Sequence, residues 1–575
     1  MMSLISKFIK GRCLLVIAIA TTVVSIFAYT LLERDPWFGK MNSGLWLMGS
    51  SVKFARNWYR DGAINDGLVM LDRPRSIETS ELKSRSIYLS YPSGSVIPIH
   101  LLARLTGKEP NPKMVMGYNL FIQLIVSLAF ALAVYLAASH IGIGAVQTYF
   151  LALISASFYL LAPNSLAFHL NRYFADSAIM LPFALVIFLE VLLCTRNMSK
   201  KKRYFFTAVQ HLFLALGLFT DYLFVFVFGL LYLKKAVLGE LGTKIRDFLI
   251  NSALFSISAL VPILFFIYQI VHFDAIKTIK YKFLYRTANN DAGQKYVKDF
   301  YEQFWKTHIV KHLQSEAIMI VAATVVCLLG ALITVSALRV IRKRRVSNTA
   351  LSLLGLCFVI VFSCLFQLYF LKNHSVIHDF SALKVTFFIA IVSFGLLSIS
   401  IAGLSPKIKN IFFGDEFEFH LIYWKKKPVR IPVFMLLFTL LYFSYMTDIY
   451  PKFKSLTDRN PKRIEEIGYF VGNNTKFDDV VFSDTVSIKD NPPQLLALSM
   501  KLVYWVQDKD KMEARIEHLP DNSTVNFLID KRKSKLKIPF GGKEIWGDAE
   551  RIEEGNLILY KTKKINFTKK LISAR

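Results

Sequence analysis

Long runs of apolar residues constrain this chain more than any other feature of its sequence. The first run extends from Leu14 to Leu32 without a charge. A helix needs about 20 such residues to cross the hydrocarbon core of a bilayer, whereas a soluble chain of this size alternates apolar with polar residues. The other runs lie at 117–139, 144–162, 176–194, 204–234, 247–271, 317–338, 348–371, 384–403 and 431–448. The sequence therefore predicts a polytopic α-helical membrane protein with about 11 transmembrane helices.

The run at 204–234 is too long for a single span, and Asp221 lies near its middle. We expect two short helices here, with a turn at Thr220-Asp221-Tyr222. We expect Asp221 to be the only clear acid in the middle of an apolar run.

The charge pattern indicates how the chain is oriented. The net charge is +29, which in a soluble protein would suggest a nucleic-acid partner. Here the basic residues cluster in short segments beside the apolar runs, and cytoplasmic loops are enriched in Lys and Arg. The clusters at 7–12, 196–203, 234–235, 339–345 and 425–427 all face the cytoplasm if the N-terminus does. No nucleic-acid partner is expected.

This topology defines two domains and leaves several segments on the outer face. Residues 1–448 form the transmembrane domain, with a large first external loop at 33–116. Residues 449–575 alternate like a soluble α/β module, with strands expected at 479–482, 524–529 and 556–560 and a helix at 461–471. We expect a small extracytoplasmic domain that stabilises the protein or docks an acceptor, in preference to a catalytic domain.

The first external segment opens with the acids Glu33 and Asp35, followed by Trp37. One interpretation is an interfacial helix end, with Arg34 paired to an acid and Trp37 at the level of the lipid headgroups. The other is that one carboxylate is a general base, which must lie within hydrogen-bond reach of an acceptor hydroxyl. Spacing alone favours the interfacial interpretation.

The second external loop carries His169, Arg172 and Asp176 just before an apolar run. A carboxylate is favoured at a helix N-terminus, so Asp176 suits a capping position. The same three side chains also form a mixed-charge group that could hold a phosphate and orient a base.

Two further groups lie in the later external segments. His374 and His378 are four residues apart, a spacing that also suits a metal, although one HxxxH with a following Asp is weak evidence for zinc. Phosphate binding or proton handling is at least as well supported. Lys280 and Lys282 belong to a basic and aromatic patch that could grip an anionic headgroup or form a solvated helix face.

Taken together, these motifs resemble the GT-C superfamily of membrane glycosyltransferases, which includes protein O-mannosyltransferases and the lipid A aminoarabinose transferase. Glu33-Arg34-Asp35 stands where that superfamily has the acidic motif of its first external loop. Tyr91-Pro92 is similar to its Tyr-Pro-Pro stretch, although Ser93 replaces the second proline. Arg172 followed by Asp176 resembles the end of its second loop. The acidic motif is not the common Asp-Glu pair, which leaves open whether Glu33 or Asp35 is the base.

The resemblance implies an inverting transfer of a sugar from a polyprenyl-phosphate carrier to an acceptor hydroxyl on the outer face. Asp35 or Glu33 would be the base and Asp176 would orient the acceptor or Arg172. Trp37, Tyr91 and His169 would position the acceptor. No metal and no cofactor other than the lipid-linked donor are implied. The groups implied to bind the donor phosphate are Arg172, His374, His378, Lys280 and Lys282.

The implied partners are membrane lipid, the lipid-linked sugar, and a glycan, lipid or protein acceptor. Two rival functions stay open: a lipid-linked glycan polymerase or ligase, and a transporter or flippase for a lipid-linked sugar. A transporter would place charge pairs deep within its spans. We expect a bacterial plasma membrane, because the chain is lysine-rich and compact.

Overall fold

The computed structural model divides the chain into two compact units. The first contains Met1–Gly39, Asn119–Leu170 and Ala175–Leu456, and the second contains Lys40–Tyr118, Asn171–Phe174 and Thr457–Arg575. The structure describes residues 2–34, 45–72, 87–242, 244–295, 297, 300–310, 313, 317–342, 347–404, 409–410, 418–424, 427–432, 451, 453, 462–476, 479–485, 499, 502–540 and 542–574.

Helices make up most of the chain before residue 405. In order they are α1 (Met2–Arg34), α2 (Leu45–Asp61), α3 (Ile97–Thr106), α4 (Pro112–Ile141), α5 (Ala145–Leu161), α6 (Pro163–Asn171), α7 (Ala175–Ala178), α8 (Met180–Thr195), α9 (Lys200–Leu218), α10 (Leu223–Val237), α11 (Ile245–His272), α12 (Ile276–Arg286), α13 (Asp291–Gln294), α14 (Ala317–Arg342), α15 (Asn348–Phe370), α16 (Lys372–Ile377), α17 (Leu383–Phe388) and α18 (Leu397–Leu404). The chain also forms π-helical segments at Glu302–Val310 and Ile389–Leu396 and 3₁₀ turns at Ser93–Ser95 and Asp379–Ala382.

Seven stretches of the described chain are long and apolar enough to cross a membrane, and an eighth is obtained if α5 and α6, bent by 57°, form one broken span. The seven are Cys13–Leu32, Pro112–Ile141, Ala175–Thr195, Ile245–His272, Ile318–Val335, Asn348–Phe370 and Asp379–Leu404. The protein is therefore an integral, multi-pass membrane protein, as the apolar runs predict.

The described spans are fewer than the eleven or so expected, and the differences lie at the run 204–234 and at the last run. α10 has 15 residues, and α9 begins with three lysines and an arginine, so neither helix is by itself both long and apolar enough. The last predicted run, at 431–448, lies outside the described residues from position 433 onward.

The turn predicted inside the run at 204–234 is confirmed. α9 ends at Leu218 and α10 begins at Leu223. Asp221 fixes this corner, because its Oδ1 accepts the backbone N–H of Leu223 at 2.7 Å. A carboxylate that accepts the first N–H groups of a helix replaces the partners that those groups lack inside it.

A buried ion cluster joins α8 to α10. Lys234 Nζ donates to Glu190 Oε1 at 2.6 Å and to Ser352 Oγ in α15 at 2.7 Å. Lys235 Nζ lies 2.6 Å from the other oxygen of Glu190, a side chain that is 1% exposed. Glu190 is thus a second acid within an apolar run, and the expectation that Asp221 stands alone was wrong. A glutamate inside an otherwise apolar helix needs such cations, because burying an unpaired charge is costly.

In the second unit, α2 packs with α3 and a short hairpin. Strands β1 (Met70–Leu71) and β2 (Ile87–Tyr88) pair antiparallel. The indole of Trp58, fully buried, donates to the Val69 carbonyl at 2.7 Å. Glu109 binds two arginines of α2, with Arg56 Nε at 2.8 Å and Arg60 Nε at 2.9 Å. Two arginines of this amphipathic helix therefore share one carboxylate within the same unit.

The C-terminal residues form a mixed sheet of five strands, which are β5 (Val480–Ser483), β6 (Leu502–Trp505), β7 (Thr524–Asp530), β8 (Glu550–Glu554) and β9 (Leu557–Lys563). Their order in the sheet is β6-β5-β7-β9-β8. β5 is parallel to both β6 and β7, whereas β9 is antiparallel to β7 and β8. The accompanying helices are α19 (Lys462–Asn474), α20 (Lys509–Glu517), α21 (Gly542–Trp546) and α22 (Lys564–Ala574). A separate hairpin pairs β3 (Glu418–Trp424) with β4 (Lys427–Pro432).

The core of this sheet explains why its strands are readable in the sequence. α19 lays Ile467, Phe470 and Val471 on the apolar residues of the parallel strands. Parallel strands covered by helices are continuous runs of apolar, often β-branched residues. All three predicted strands and the predicted helix are present, each displaced by no more than about three residues.

Candidate functional site

A lysine and two aspartates meet inside the first unit. Lys384 Nζ lies 2.5 Å from Asp176 Oδ1 and 3.9 Å from Asp221 Oδ2. The three side chains are at most 4% exposed. They come from the first turn of α7, the α9–α10 corner and the first turn of α17. Three segments distant in sequence thus assemble a buried group of charges, which we call the acid–lysine triad.

The hydrogen bonds of the triad leave part of each carboxylate open. Gln367 Nε2, from the last turn of α15, donates to Asp221 Oδ1 at 2.5 Å. The second oxygens, Asp176 Oδ2 and Asp221 Oδ2, are buried and accept no hydrogen bond from the described residues. Buried polar atoms are nearly always hydrogen-bonded, so such oxygens call for a further partner, such as a ligand or water.

Two histidines border the triad. His374 Nε2 lies 4.0 Å from Asp176 Oδ2, and the rings of His374 and His378 are 4.5 Å apart between centroids. α16 ends at Ile377, so His378 follows the helix, and its ring stacks on Phe380 at 4.9 Å. The two rings are therefore close together, although His378 lies beyond the end of this short helix.

The electrostatic state of His374 follows from its burial. Desolvation lowers its pKa to about 3, and the positive charge of Arg286 acts in the same direction, while the neighbouring Asp176 opposes both. At neutral pH the ring is therefore uncharged, with one nitrogen as donor and the other as acceptor. A bound anion would favour the charged form, so His374 is placed to respond to one.

The residues of the basic patch predicted around residue 280 differ in their exposure, because they lie on different faces of α12. Asn373 Nδ2 donates to the Tyr285 carbonyl at 2.7 Å, which joins α16 to the end of α12. Lys282 and Arg286, one turn apart, are half-buried, whereas Lys280 is exposed. Arg286, which the sequence shows only as part of a patch, thus lies nearer to the histidines than its position in the chain suggests.

The residues of the first external loop are described only in part. Asp35 and Trp37 lie outside the described residues, and of Glu33 only the backbone, in the last turn of α1, is described. Arg34 turns into the helix bundle, where Nη1 donates to Gln123 Oε1 at 2.9 Å and Nη2 to Thr30 Oγ1 at 3.0 Å. The choice between Glu33 and Asp35 as base stays a prediction.

His169 occupies a buried polar network away from the exposed loops. Its Nε2 lies 2.8 Å from the Tyr159 hydroxyl and its Nδ1 lies 3.0 Å from Asn119 Oδ1. The residue is completely buried. Because both ring nitrogens are used by the bundle itself, this environment favours a structural role over contact with an acceptor.

Arg172 and Tyr91 belong to the second unit. Both are buried, and the Tyr91 ring meets the edge of Phe174 at 6.1 Å between centroids. Tyr173 anchors the same segment, because its hydroxyl donates to the Ser95 carbonyl at 2.6 Å and its own carbonyl accepts Ser51 Oγ at 3.0 Å. The segment after α6 is therefore held by residues of the first external loop, as part of this unit.

No group of three or more His, Cys, Asp or Glu side chains is placed to hold a metal in the part of the chain that the structure describes. The two histidines have Asp176 as their acidic neighbour, at 4.0 Å from the nearer ring nitrogen, well beyond a metal–ligand geometry. Independence from metals and cofactors stays a prediction.

No protein-family model matches the sequence, and no curated protein sequence matches it either. Among solved structures, ArnT from Cupriavidus metallidurans bound to undecaprenyl phosphate superposes with a TM-score of 0.52 and 10% identity, over 95% of this chain and 97% of that chain. The chain has the ArnT fold. The Archaeoglobus fulgidus oligosaccharyltransferase in the apo form gives a TM-score of 0.48 and 9% identity, over 91% of this chain and 70% of that chain.

The superposition on ArnT therefore confirms, at the level of the fold, the resemblance that the sequence motifs indicate. The fold class is confirmed with it: a multi-pass helical membrane protein with a small C-terminal sheet domain. At 10% identity the likeness to ArnT establishes the fold alone.

Proposed function

We propose that this protein is a glycosyltransferase that moves a sugar from a polyprenyl-phosphate carrier to an acceptor hydroxyl at the outer membrane surface, with inversion. The acid–lysine triad bordered by His374, His378 and Arg286 carries the proposal. It combines carboxylates with open oxygens and cations within one buried region. An ArnT-like fold supports a lipid phosphate as the carrier, since ArnT has been solved with undecaprenyl phosphate bound.

The cations serve the leaving group in this mechanism. When the bond between the anomeric carbon and the phosphate oxygen breaks, negative charge accumulates on the phosphate. Preorganised cations and hydrogen-bond donors stabilise developing charge best in a site that excludes water. Arg286, His374 and His378 are suited to this role, with Lys282 assisting, and His374 would gain its charge as the anionic donor binds. Arg172 keeps its proposed role as a phosphate ligand, and Lys280, because of its exposure, is assigned a supporting one.

The carboxylates serve the acceptor. Asp35, or Glu33 in its place, takes the proton of the acceptor hydroxyl as the oxygen attacks the anomeric carbon. Lys384 fixes the orientation of the Asp176 carboxylate, because its Nζ lies 2.5 Å from Oδ1. The open Asp176 Oδ2 then orients a hydroxyl of the acceptor or of the donor sugar. Lys384 and Asp221 act through Asp176 and are positioning residues.

The expected partners follow from this chemistry. They are membrane lipid, a polyprenyl-phosphate-linked sugar, and a hydroxyl-bearing glycan, lipid or protein acceptor, with no metal and no further cofactor. A lysine-rich chain of this size fits a bacterial plasma membrane.

The direct test is sugar transfer by purified full-length protein in liposomes, using synthetic polyprenyl-phosphate donors with a labelled sugar. Native protein should consume a donor, and Asp35→Asn should bind the donor but not turn it over. Asp274→Asn is the matched control, because this exposed acid has a left-handed backbone that asparagine also adopts. Turnover by Asp35→Asn at the native rate would contradict the assignment of the base.

A flippase for a lipid-linked sugar is the second candidate, because two buried charge clusters lie within or beside the spans. They are the acid–lysine triad and the group around Glu190 and Lys234. The same liposomes separate the two functions: a flippase moves labelled lipid between leaflets without consuming the donor. If no donor is consumed and lipid crosses with native protein, the glycosyltransferase proposal is wrong.

A further inference from the structure

The C-terminal sheet has a point where its strand order reverses. From the end of β5 the chain continues to β6 on one side, and from the end of β7 it continues to β8 and β9 on the other. β5 and β7 are adjacent and parallel, so both end at the same edge, at Ser483 and Asp530. In open α/β sheets, ligands bind outside the carboxyl ends of the strands at such a reversal.

The residues after β5 carry polar atoms that lack partners. Asp484 Oδ1 and Thr485 Oγ1 are buried and form no hydrogen bond with any residue that the structure describes. Thr485 as a whole is 2% exposed. The other carboxylate oxygen of Asp484 accepts the Ser534 hydroxyl, from the turn after β7, at 2.6 Å. This hydrogen bond links the ends of β5 and β7. Beside it, Asp484 Oδ1 and the Thr485 hydroxyl still need hydrogen-bond partners.

The turn after β7 is strongly basic. Lys531 pairs with Glu553, and Arg532 pairs with Asp530 at 2.9 Å. Lys533, Lys535 and Lys537 are exposed, and their side chains have no hydrogen-bond or ion-pair partner among the described residues. Three uncompensated positive charges therefore lie within five residues of chain, next to the open polar atoms.

We propose that this edge of the C-terminal domain binds an anionic saccharide. The open oxygen of Asp484 needs a hydrogen-bond donor, which a sugar hydroxyl supplies and a bare phosphate at neutral pH supplies poorly. Thr485 can donate to or accept from a second hydroxyl. The three lysines need an anion, which a carboxylate or phosphate substituent on the sugar supplies. A lipid surface offers the anion but does not reach a side chain as buried as Thr485.

The saccharide is the acceptor if the proposed function holds, and this assignment of the acceptor class rests on it. Binding itself needs neither the donor nor the acid–lysine triad. Saccharide binding is therefore measured without the lipid-linked donor, so that loss of sugar transfer and loss of saccharide binding can be distinguished.

The experiment measures binding of a fluorescent oligogalacturonate to full-length protein in nanodiscs of zwitterionic lipid, at fixed ionic strength. A neutral maltooligosaccharide of equal length and inorganic phosphate are the comparison ligands. The oligogalacturonate should bind, and the two comparison ligands should bind at least about tenfold more weakly. Equal binding of the neutral sugar, displacement by phosphate at equal concentration, or no binding at all would overturn the proposal.

Matched variants locate the site. Replacing Lys533, Lys535 and Lys537 together by glutamine should weaken binding about tenfold, since three modest contributions from exposed charges are lost at once. The control replaces Lys543, Lys563 and Lys569, which are also exposed, and removes the same charge elsewhere in the domain. Equal weakening in both sets would show general charge attraction and refute a site.

Two single variants test the polar atoms. Asp484→Asn and Thr485→Val keep the side-chain size and should each weaken binding severalfold, with unchanged thermal unfolding as the check on folding. If both bind as the native protein does, the open atoms are not part of a site. A last measurement adds empty nanodiscs of anionic lipid to the protein held in zwitterionic nanodiscs. If the protein binds these added nanodiscs and not the saccharide, the lysines contact the membrane and the proposal is overturned.

Discussion

Replacing Lys384 by methionine leaves two buried carboxylates, Asp176 and Asp221, without the ammonium that contacts both. Methionine has nearly the same length and volume, so the packing change is small. Removing one partner of a buried ion pair costs about 3–5 kcal/mol, because the remaining charge stays desolvated. We expect the free energy of unfolding, measured by SDS titration in mixed micelles, to fall by about that amount. Donor turnover should fall as well, since Asp176 loses the charge that orients it.

A second variant separates stability from function. Combining Lys384→Met with Asp176→Asn and Asp221→Asn replaces the triad by neutral groups, and such replacements are often neutral or stabilising. Most of the lost stability should therefore return, while turnover should not. Lys201→Met, at an exposed position of α9, is the matched control. If Lys384→Met changes unfolding by less than about 1 kcal/mol, the buried ion pair contributes nothing measurable and the reasoning is refuted.

Three further predictions concern the surroundings of the triad. Glu190→Gln should destabilise the protein by about 3 kcal/mol, because Lys235 and Lys234 lose a buried partner. It should leave the affinity for the donor unchanged, because Glu190 lies about 20 Å along the helix from Asp176. Arg286→Gln should weaken binding of a polyprenyl phosphate about tenfold in a fluorescence titration, through loss of a phosphate-facing cation. Stability should also depend on pH through His374: its folded pKa is lowered to about 3, so the unfolded state binds the proton first, and the unfolding free energy falls as pH drops from about 6.5 toward 3.

Each of these three predictions has a control. Glu302→Gln removes an exposed glutamate, and should change stability by less than about 1 kcal/mol. Arg246→Gln removes an exposed arginine of α11 and should leave lipid affinity unchanged. His374→Gln should flatten the pH slope between the two values, and an unchanged slope in this variant would assign it to other groups.

Local patterns in the sequence are sufficient for the elements of this fold. The Asp221 corner is readable because the run around it is too long for one span and a charge interrupts it. Three of the five strands of the C-terminal sheet are readable because buried strands are short apolar runs. Glu190 is harder to recognise as a special position, because a single acid hardly changes the mean hydropathy of the apolar run around it. The eventual partners of that acid lie more than 40 residues further along the chain.

The candidate site was predicted only in part, because its geometry is non-local. Short motifs in the sequence indicate Asp176 and the pair His374 and His378. In the structure, His374 Nε2 lies 4.0 Å from Asp176 Oδ2. The sequence does not mark Lys384 as a site residue, because it is the first residue of an apolar run, where a lysine side chain ordinarily extends to the membrane interface. A charged residue at the start of a span is the signal that could have marked it, but its partner, Asp176, is 208 residues away.

The same separation has a consequence for biosynthesis. Asp176 leaves the ribosome 208 residues before Lys384. At about 5–20 residues per second, the span that begins with Asp176 waits about 10–40 s for its countercharge. Until then the carboxylate must stay hydrated or protonated, since an unpaired acid in a span opposes insertion. Insertion of the span at Asp379–Leu404 is therefore the step that supplies the countercharge, and chains truncated before it are expected to be substrates for membrane quality-control proteases.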